Sequence, residues 1–468
     1  MPRILGRAPS VIVVLILVFP GCVPGHDERQ PERQQPDDAT IRDILAKRVD
    51  AKQSVGITVG IHNLQTSRFI SFGTFNGPGT SAVSEETIFE IGSITKTFTA
   101  TVLADMVSRG EVALDDAVAR YLPPQVRLPS RNGKQITLLD LATHTSGLPA
   151  FPANMEPADS GNPFADYTQQ QLYAFLSSHE LARDPGEQYQ YSNLGMALLG
   201  HVLARRTGMT YEALVLERVL RPLDMNDTWI ALTPALRLRF APGHDASLTL
   251  QKSWDMPALA GSGAFRSTAR DMMKFLSAYS RPAGTSLERV APLALEPRRP
   301  AEDASVSVGL GWHIVERNGR RFAGVNGQTG CYAAFAGFSM SSGTHVVVLS
   351  NSARSVDDIG WHLIDPSIPV QTSFVAERTE IVLEPSGLDR FVGRYNLSPT
   401  DVIIITRNGD SLWARISGLD YQLFAEGRQR FFIKAVDAQL AFNVDGSGNT
   451  TGLTLRYDGR KFTAQKRP

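Results

Sequence analysis

The chain has 468 residues, and its 47 lysines and arginines balance its 47 aspartates and glutamates, so the formal net charge is zero. This balance speaks against nucleic acid as a partner, because binding to nucleic acid depends on an excess of positive charge. Hydrophobic residues make up 42% of the chain, which excludes wholesale disorder, and the length allows about two or three domains. Two cysteines are too few for a disulfide framework or a cysteine-based zinc cluster.

Residues 1–22 have the pattern of an export signal. Arg3 and Arg7 precede the apolar run 11–19, which is too short to span a membrane as a helix. The tetrapeptide Phe-Pro-Gly-Cys at 19–22 resembles a bacterial lipobox, in which the cysteine is lipidated and becomes the first residue of the mature protein. An ordinary cleaved signal is the alternative. We therefore predict an exported protein of the periplasm or cell envelope, attached to the membrane only through a lipid on Cys22.

Residues 23–38 are rich in Pro, Gln, Arg, Asp and Glu and nearly free of apolar residues, which predicts a disordered tether. A folded domain is expected over residues 39–369. It opens with a helix capped by Thr40 and a strand at 55–61, and further strands are predicted at 310–315, 321–325, 332–338 and 346–349. Helical patterns lie between them, at 96–108, 191–206, 211–220 and 269–280. This order predicts a mixed α/β domain whose sheet contains both chain ends and a helical insert.

The pattern changes after residue 369. We expect a linker at 370–383 and then short alternating strands over 384–468, at 402–406, 412–416, 429–433, 440–444 and 453–457. The dipeptides Asn408-Gly409 and Asp458-Gly459 are hairpin turn signals. This region predicts a small antiparallel barrel or sandwich.

Two motifs carry candidate catalytic groups. In Ser93-Ile-Thr-Lys96 the serine and lysine stand three residues apart, so at a helix start they share a face; Ser93 can act as a nucleophile and a desolvated Lys96 can take its proton. In Tyr191-Ser-Asn193 the tyrosine and asparagine point the same way from an extended segment. Tyr191 is expected to serve as general base if Lys96 lowers its pKa, and Asn193 to hold Lys96 and the substrate carbonyl.

With these motifs the chain resembles the serine β-lactamase and penicillin-binding protein superfamily, most closely its class C-like branch. The resemblance runs from about residue 40 to 365. It also rests on Leu-Ala-Thr-His-Thr-Ser-Gly-Leu-Pro at 141–149, Pro-Leu-Asp-Met at 222–225, Gly-Ala-Phe-Arg-Ser-Thr at 263–268 and the turn at 109–116. It implies a β-lactamase/transpeptidase-like antiparallel sheet with a helical insert, an acyl-serine mechanism and no cofactor. The opening residues 388–395 of the C-terminal region resemble a lipocalin-like appendage, which either shapes the active site, adds a binding surface or is passive.

The family's third motif is Lys-Thr-Gly or His-x-Gly, and here the segment is Gly324-Val-Asn-Gly-Gln-Thr-Gly-Cys-Tyr332. Val325 replaces the cation. Asn326, Gly327 and Gln328 are expected to bind substrate, with the N–H groups of Gln328 and Ser93 as the oxyanion hole. A substrate carboxylate loses a partner at Val325, and Arg320 or Arg321 compensates only if one of them reaches the cleft.

The predicted substrate is accordingly a small molecule or peptide. β-Lactam or D-alanyl peptide amides come first on resemblance, a carboxylesterase is the runner-up, and a penicillin-binding sensor without turnover is the third possibility.

Four features are weaker candidates for a functional role. The resemblance implies a structural place beneath the cleft for His144; the alternative is a catalytic role in a Ser-His pair. Cys331 is expected to be a buried thiol, because no partnering histidine is near it in sequence. Residues 254–262 form either a cleft-rim loop or an ordinary surface loop. No metal-binding motif is present, so we predict no metal site.

Overall fold

A computed structural model describes residues 35–63, 66–301, 303, 305–372, 378–397, 402–416, 419–457 and 460–467. The predicted signal, Cys22, most of the predicted tether and the Asp458-Gly459 turn lie outside these residues. The described chain divides into two compact units, residues 35–372 and 378–467. None of its described helices combines the length and apolar character needed to cross a membrane.

The first unit combines helices with antiparallel strands. Its helices are α1 (Asp38–Asp50), α2 (Thr95–Ser108), α3 (Leu138–Ala142), α4 (Gln169–Ser178), α5 (Asn193–Thr207), α6 (Tyr211–Val215), α7 (Pro234–Arg237), α8 (Ala260–Gly263), α9 (Ala269–Ser280), α10 (Val290–Leu295) and α11 (Asp357–Ile364). Its strands are β1 (Gly56–His62), β2 (Ser67–Gly73), β3 (Phe89–Glu90), β4 (Ser130–Arg131), β5 (Lys134–Gln135), β6 (Gly243–His244), β7 (Leu250–Gln251), β8 (Arg266–Ser267), β9 (Arg299–Pro300), β10 (Val306–Val308), β11 (His313–Arg317), β12 (Arg320–Gln328), β13 (Ala333–Ser339) and β14 (His345–Ser350).

The centre of this unit is an eight-stranded antiparallel sheet. Its order is β2-β1-β14-β13-β12-β11-β10-β9, so the early strand β1 pairs with the late strand β14, with Ile57 opposite Ser350. The segment from β3 to α10 is inserted between β2 and β9 and is mostly helical. The predicted antiparallel sheet with a helical insert is confirmed.

Helices cover both faces of the sheet, which explains why its central strands are apolar throughout. On one face, Ile41 and Leu45 of α1 and Trp361 of α11 pack with Val59 of β1 in a single buried cluster. On the other face lies α9, which approaches so closely that a Cβ on Gly60 would stand 2.7 Å from Met273 Cγ.

The described residues of the C-terminal unit form a closed barrel of eight antiparallel strands, in which β15 pairs with both β16 and β22. The strands are β15 (Gly393–Asn396), β16 (Val402–Asn408), β17 (Ser411–Ile416), β18 (Leu419–Ala425), β19 (Arg430–Ile433), β20 (Ala438–Val444), β21 (Thr450–Tyr457) and β22 (Arg460–Lys466). Phe391, Phe431 and Phe442 fill the interior with mutual ring contacts. The Asn408-Gly409 turn joins β16 to β17 as predicted, with Gly409 at φ +60°.

Several local boundaries differ from the sequence predictions; for example, the strand predicted at 310–315 begins only at His313. The first helix is capped by Asp37, whose side chain accepts the Thr40 N–H, so Thr40 lies inside the helix and the predicted Thr40 cap is wrong. The helix predicted at 211–220 changes to a π-helix at Leu216–Leu220. The predictions at 96–108 and 269–280 agree with α2 and α9 within one residue.

Candidate active site

Ser93 stands in a short 3₁₀ turn, Gly92–Ile94, immediately before α2. Lys96 follows in the first turn of α2, so the serine and the lysine lie on one face, as the spacing predicts. Ser93 is 8% exposed to solvent, and Lys96 is 2% exposed. Ser93 therefore keeps a small exposed fraction, while the amine is almost completely removed from water.

The Lys96 side chain is held by three partners. Its Nζ lies 2.8 Å from Ser93 Oγ, 2.7 Å from Asn193 Oδ1 and 2.7 Å from the carbonyl oxygen of Ser262. The contact with Asn193 is the predicted one. Ser262 was not predicted, because a backbone carbonyl leaves no signature in the sequence. Burial holds the pKa of the Lys96 ammonium well below its usual value, which favours the neutral amine.

Tyr191 completes the group around the nucleophile, and its Oη donates to Ser93 Oγ at 2.7 Å. It comes just before α5, whose N-cap Ser192 accepts the N–H of Gly195 at 2.8 Å. Burial raises the pKa of the Tyr191 hydroxyl. The condition set for Tyr191 as general base, a pKa lowered by Lys96, is therefore not met, because removal from water raises the pKa of the hydroxyl.

His144 lies beneath Tyr191. The two rings stack with centroids 4.5 Å apart, and His144 Nδ1 accepts the backbone N–H of Ser192 at 3.1 Å. Burial and the neighbouring Lys96 hold the pKa of the imidazole well below its usual value. A neutral His144 thus supports the Tyr191 ring and its backbone, in line with a structural place beneath the cleft.

The end of β12 packs directly on the nucleophile turn. A Cβ on Gly327 would stand 1.9 Å from the carbonyl oxygen of Ile91 and 3.1 Å from Ser93 N, and a Cβ on Gly92 would stand 2.7 Å from Gln328 N. Both positions therefore require glycine. The backbone N–H groups of Ser93 and Gln328 therefore both lie where β12 meets the turn that contains Ser93. This is the place predicted for the oxyanion hole.

Val325 and Asn326 point to opposite faces of β12. Gly324 faces the Trp361 ring of α11, so alternation turns Asn326 to that side and Val325 to the side of the nucleophile turn. Asn326 Nδ2 donates to Asp357 Oδ2 at 2.5 Å, and both side chains are buried. The predicted substrate-binding role of the Asn326 side chain is therefore wrong, since this amide anchors β12 to the start of α11.

Neither arginine proposed to replace the missing cation lies at the cleft. Arg320 pairs with the buried Asp365 at 2.9 Å. It occupies the opposite end of β12 from Gly327, about 23 Å away along an extended strand. Arg321 is exposed and stands opposite Glu316 in the neighbouring strand. Val325 is thus uncompensated by these two residues.

The loop at 254–262 is tied to the nucleophile from two sides, which favours the cleft-rim interpretation. At its start, the Trp254 N–H donates to Glu90 Oε1 at 2.9 Å, and the indole packs edge-on against Phe164. At its end, the Ser262 carbonyl holds Lys96. We call residues 254–262 the rim loop.

Cys331 lies near this site but is fully buried. Its thiol contacts the Lys252 carbonyl oxygen at 3.4 Å, and burial raises its pKa. A buried, protonated thiol is a poor nucleophile. Among the described residues, no group of three or more His, Cys, Asp or Glu side chains is arranged to hold a metal ion.

Comparison with known proteins identifies the fold and the family. A family model described as Beta-lactamase matches residues 41–365, which is well over half of the chain. The chain belongs to the beta-lactamase family. A second model, for a domain of unknown function, matches residues 377–466.

Two named relatives match parts of this chain. The chain is 35% identical over 196 residues to the D-alanyl-D-alanine-carboxypeptidase/endopeptidase AmpH of Escherichia coli, a match that covers 42% of this chain and about half (49%) of that relative. It is 26% identical over 349 residues to a beta-lactamase of Pseudomonas fluorescens, which covers 67% of this chain and 92% of the relative. The crystal structure of a class C beta-lactamase from Rhodobacter sphaeroides superposes with a TM-score of 0.58 at 22% identity, over 68% of this chain and 95% of the other.

Proposed function

We propose that this protein is an exported serine hydrolase that cleaves β-lactam or D-alanyl peptide amide bonds through an acyl-Ser93 intermediate. The observation that carries the proposal is the convergence of Lys96 Nζ and Tyr191 Oη on Ser93 Oγ, at 2.8 Å and 2.7 Å. The names of the relatives, a carboxypeptidase and beta-lactamases, support the choice of bond.

The partners of Lys96 assign it the role of base. Asn193 Oδ1 and the Ser262 carbonyl oxygen are acceptors only, so they take the two N–H groups of a neutral amine. The remaining lone pair then faces Ser93 Oγ and receives its proton as the oxygen attacks the substrate carbonyl. The N–H groups of Ser93 and Gln328 stabilise the developing oxyanion.

Tyr191 completes the proton path. As a neutral phenol beside Ser93 Oγ, it gives its proton to the leaving amine and regains one from the Lys96 ammonium. A water molecule then attacks the acyl-enzyme, with the same groups acting in reverse. Ser93, Lys96 and Tyr191 are the proposed catalytic residues, while Asn193 positions Lys96.

A carboxylesterase is the second candidate, and Val325 favours it. This side chain is apolar and faces the nucleophile turn, where a substrate carboxylate would need a cation. An ester without a carboxylate makes no such demand. A penicillin-binding sensor would use the same acylation and lack rapid deacylation.

Intact-mass spectrometry separates these functions. The protein is mixed with benzylpenicillin, with a D-Ala-D-Ala peptide and with a p-nitrophenyl ester, and Ser93→Ala serves as the control. A transient adduct with amide or lactam turnover is the expected result, and a persistent penicillin adduct indicates a sensor. Ester turnover without any reaction with penicillin or peptide identifies an esterase. Turnover by Ser93→Ala would contradict the assignment of Ser93 as the nucleophile.

Export and a lipid on Cys22 are proposed from the sequence alone. Expression with a radiolabelled fatty acid tests the anchor, with Cys22→Ser as the control. Label and membrane retention that disappear together in this variant are expected. An unlabelled protein that is released freely would indicate an ordinary cleaved signal and no lipid on Cys22.

A further inference from the structure

The buried carboxyl group of Glu90 lies just before the turn that contains the proposed nucleophile. Glu90 is in β3, directly opposite Arg266 of β8, and retains 3% of its exposure. Its Oε1 accepts the Trp254 N–H at 2.9 Å and lies 3.3 Å from Arg266 Nη2.

These partners belong to the segments that carry the catalytic groups. Glu90 itself leads directly into the turn that contains Ser93. Trp254 opens the rim loop, which ends at the carbonyl that holds Lys96. The carboxylate of Glu90 therefore joins the segment that contains Ser93 to the rim loop.

We propose that Glu90, with Arg266, is a positioning residue that holds the rim loop in place beside Ser93. This inference rests on the acyl-serine mechanism proposed above. A displacement of about 1 Å in a catalytic group can cost about a hundredfold in rate, so a tie between these segments has a direct effect on acylation. Glu90 does not touch the substrate in this scheme.

The ionised form of Glu90 is the one that makes the tie strongest. A carboxylate attracts the Arg266 guanidinium and accepts the Trp254 N–H more strongly than a neutral acid does. Burial raises the pKa of Glu90 to about 7, against the opposing influence of Arg266. The tie should therefore weaken as the pH falls below this value.

Other charged and titratable groups also face Glu90. Asp255 pairs with Arg266 at 3.3 Å from the rim-loop side. Cys331 and Tyr332 lie on the strand side, and burial raises the pKa of both, so they stay neutral near pH 7. Neither of these two groups changes its charge where Glu90 is expected to titrate.

The rate at which a fluorophosphonate probe labels the full-length protein tests the proposal without a chosen substrate. Ser93 Oγ attacks phosphorus, fluoride leaves and the serine proton passes to Lys96, so the rate reports nucleophile and oxyanion hole together. Glu90→Gln should label about ten- to hundredfold more slowly than the unmodified protein at pH 8. The difference should shrink as the pH falls to 6, because the unmodified Glu90 then becomes neutral.

Glu85→Gln is the matched control. Glu85 pairs with Arg270 at 3.0 Å on the surface, just upstream of β3, and this variant should label at the unmodified rate at every pH. Equal rates for Glu90→Gln and Glu85→Gln, or a difference that does not depend on pH, would overturn the positioning role. Absence of Ser93 labelling in the unmodified protein would instead overturn the proposed function.

Glu90→Asp provides a second variant in case Glu90→Gln fails to fold. It keeps the negative charge but shortens the side chain by one methylene group, which withdraws the carboxylate from the Trp254 N–H. We expect slower labelling of Ser93 than in the unmodified protein at pH 8. An unchanged labelling rate in this variant would exclude a tie between Glu90 and the rim loop.

Discussion

The side-chain nitrogen of Lys96 lies 2.7 Å from the carbonyl oxygen of Ser262, a residue far along the chain in the rim loop. This contact links the helix that follows the nucleophile to a loop that has no catalytic side chain of its own. It also supplies the second acceptor that leaves a neutral Lys96 with one lone pair for Ser93. Substitutions in this arrangement and among its neighbours should therefore have separable effects.

Removal of the Lys96 amine should stop acylation. We expect Lys96→Ala to lower kcat/KM by about 10²- to 10⁴-fold, the usual effect of losing a general base. Stopped-flow or mass-spectrometric acylation rates measure this directly. Lys47→Ala, which removes an exposed lysine paired with Asp43 in α1, is the control. Acylation at the unmodified rate in Lys96→Ala would transfer the base role to another group.

A cation at position 325 should restore recognition of a substrate carboxylate. A hydrogen bond to a charged group contributes about 1.5–3 kcal/mol, so Val325→Lys is expected to raise kcat/KM for benzylpenicillin about ten- to hundredfold. The rate with a neutral p-nitrophenyl ester should not rise in parallel. Val325→Met, which adds length without charge, is the control. An equal gain in both variants would show that side-chain size, rather than charge, controls the rate.

Gly327 should tolerate no side chain. A Cβ at this position would stand 1.9 Å from the Ile91 carbonyl oxygen, so Gly327→Ala must separate β12 from the nucleophile turn. We expect a loss of at least about a hundredfold in fluorophosphonate labelling of Ser93. Gly446→Ala, at a position where a Cβ would meet nothing within 4 Å, should leave labelling unchanged. Normal labelling of Gly327→Ala would contradict the close packing.

Cys331 should resist thiol reagents in the folded protein. Its thiol is buried and burial raises its pKa, so little thiolate forms. In a Cys22→Ser background, reaction with a maleimide should be at least about a hundredfold slower without denaturant than in guanidinium chloride. Rapid labelling of the native protein would show that residues around Cys331 open readily.

Glu90 should also give the stability of the protein a pH dependence. A carboxyl group whose pKa rises from 4.5 in the unfolded chain to about 7 in the folded protein loses stabilisation as the pH rises through this range. Because glutamine does not titrate, the melting temperature of Glu90→Gln minus that of the unmodified protein should increase from pH 5 to pH 8. Differential scanning fluorimetry checks this, and a constant difference would place the pKa of Glu90 outside this range.

The sequence predicted the fold well where local patterns were strong. The strand predicted at 55–61 and the helix predicted at 269–280 were placed correctly because their apolar residues follow one period without interruption. The helix α2 was recognised although it carries several buried threonines, whose hydroxyls bond to nearby backbone oxygens such as that of Ile94. The strand β2 was missed because most of its side chains are only partly buried.

The site was less predictable wherever a role depends on surroundings. Ser93, Lys96 and Tyr191 carry motif spacings, and the structure brings them together. The role of Tyr191 as general base depends on a lowered pKa, and burial raises the pKa instead. Burial cannot be judged from neighbours in sequence. Asn326 was assigned to the cleft by its place in a motif, whereas the alternation of β12 turns it toward Asp357.

The pairing of β1 with β14 has a consequence for how the protein is made. The two strands come from opposite ends of the first unit, so the sheet cannot be completed until nearly the whole unit has been synthesised. Such long-range pairings slow folding, because a large loop must lose conformational entropy on closing before the stabilising contacts can form. Until β1 pairs with β14, the sheet that supports the turn containing Ser93 is incomplete, so activity should appear only after nearly the whole first unit has been made.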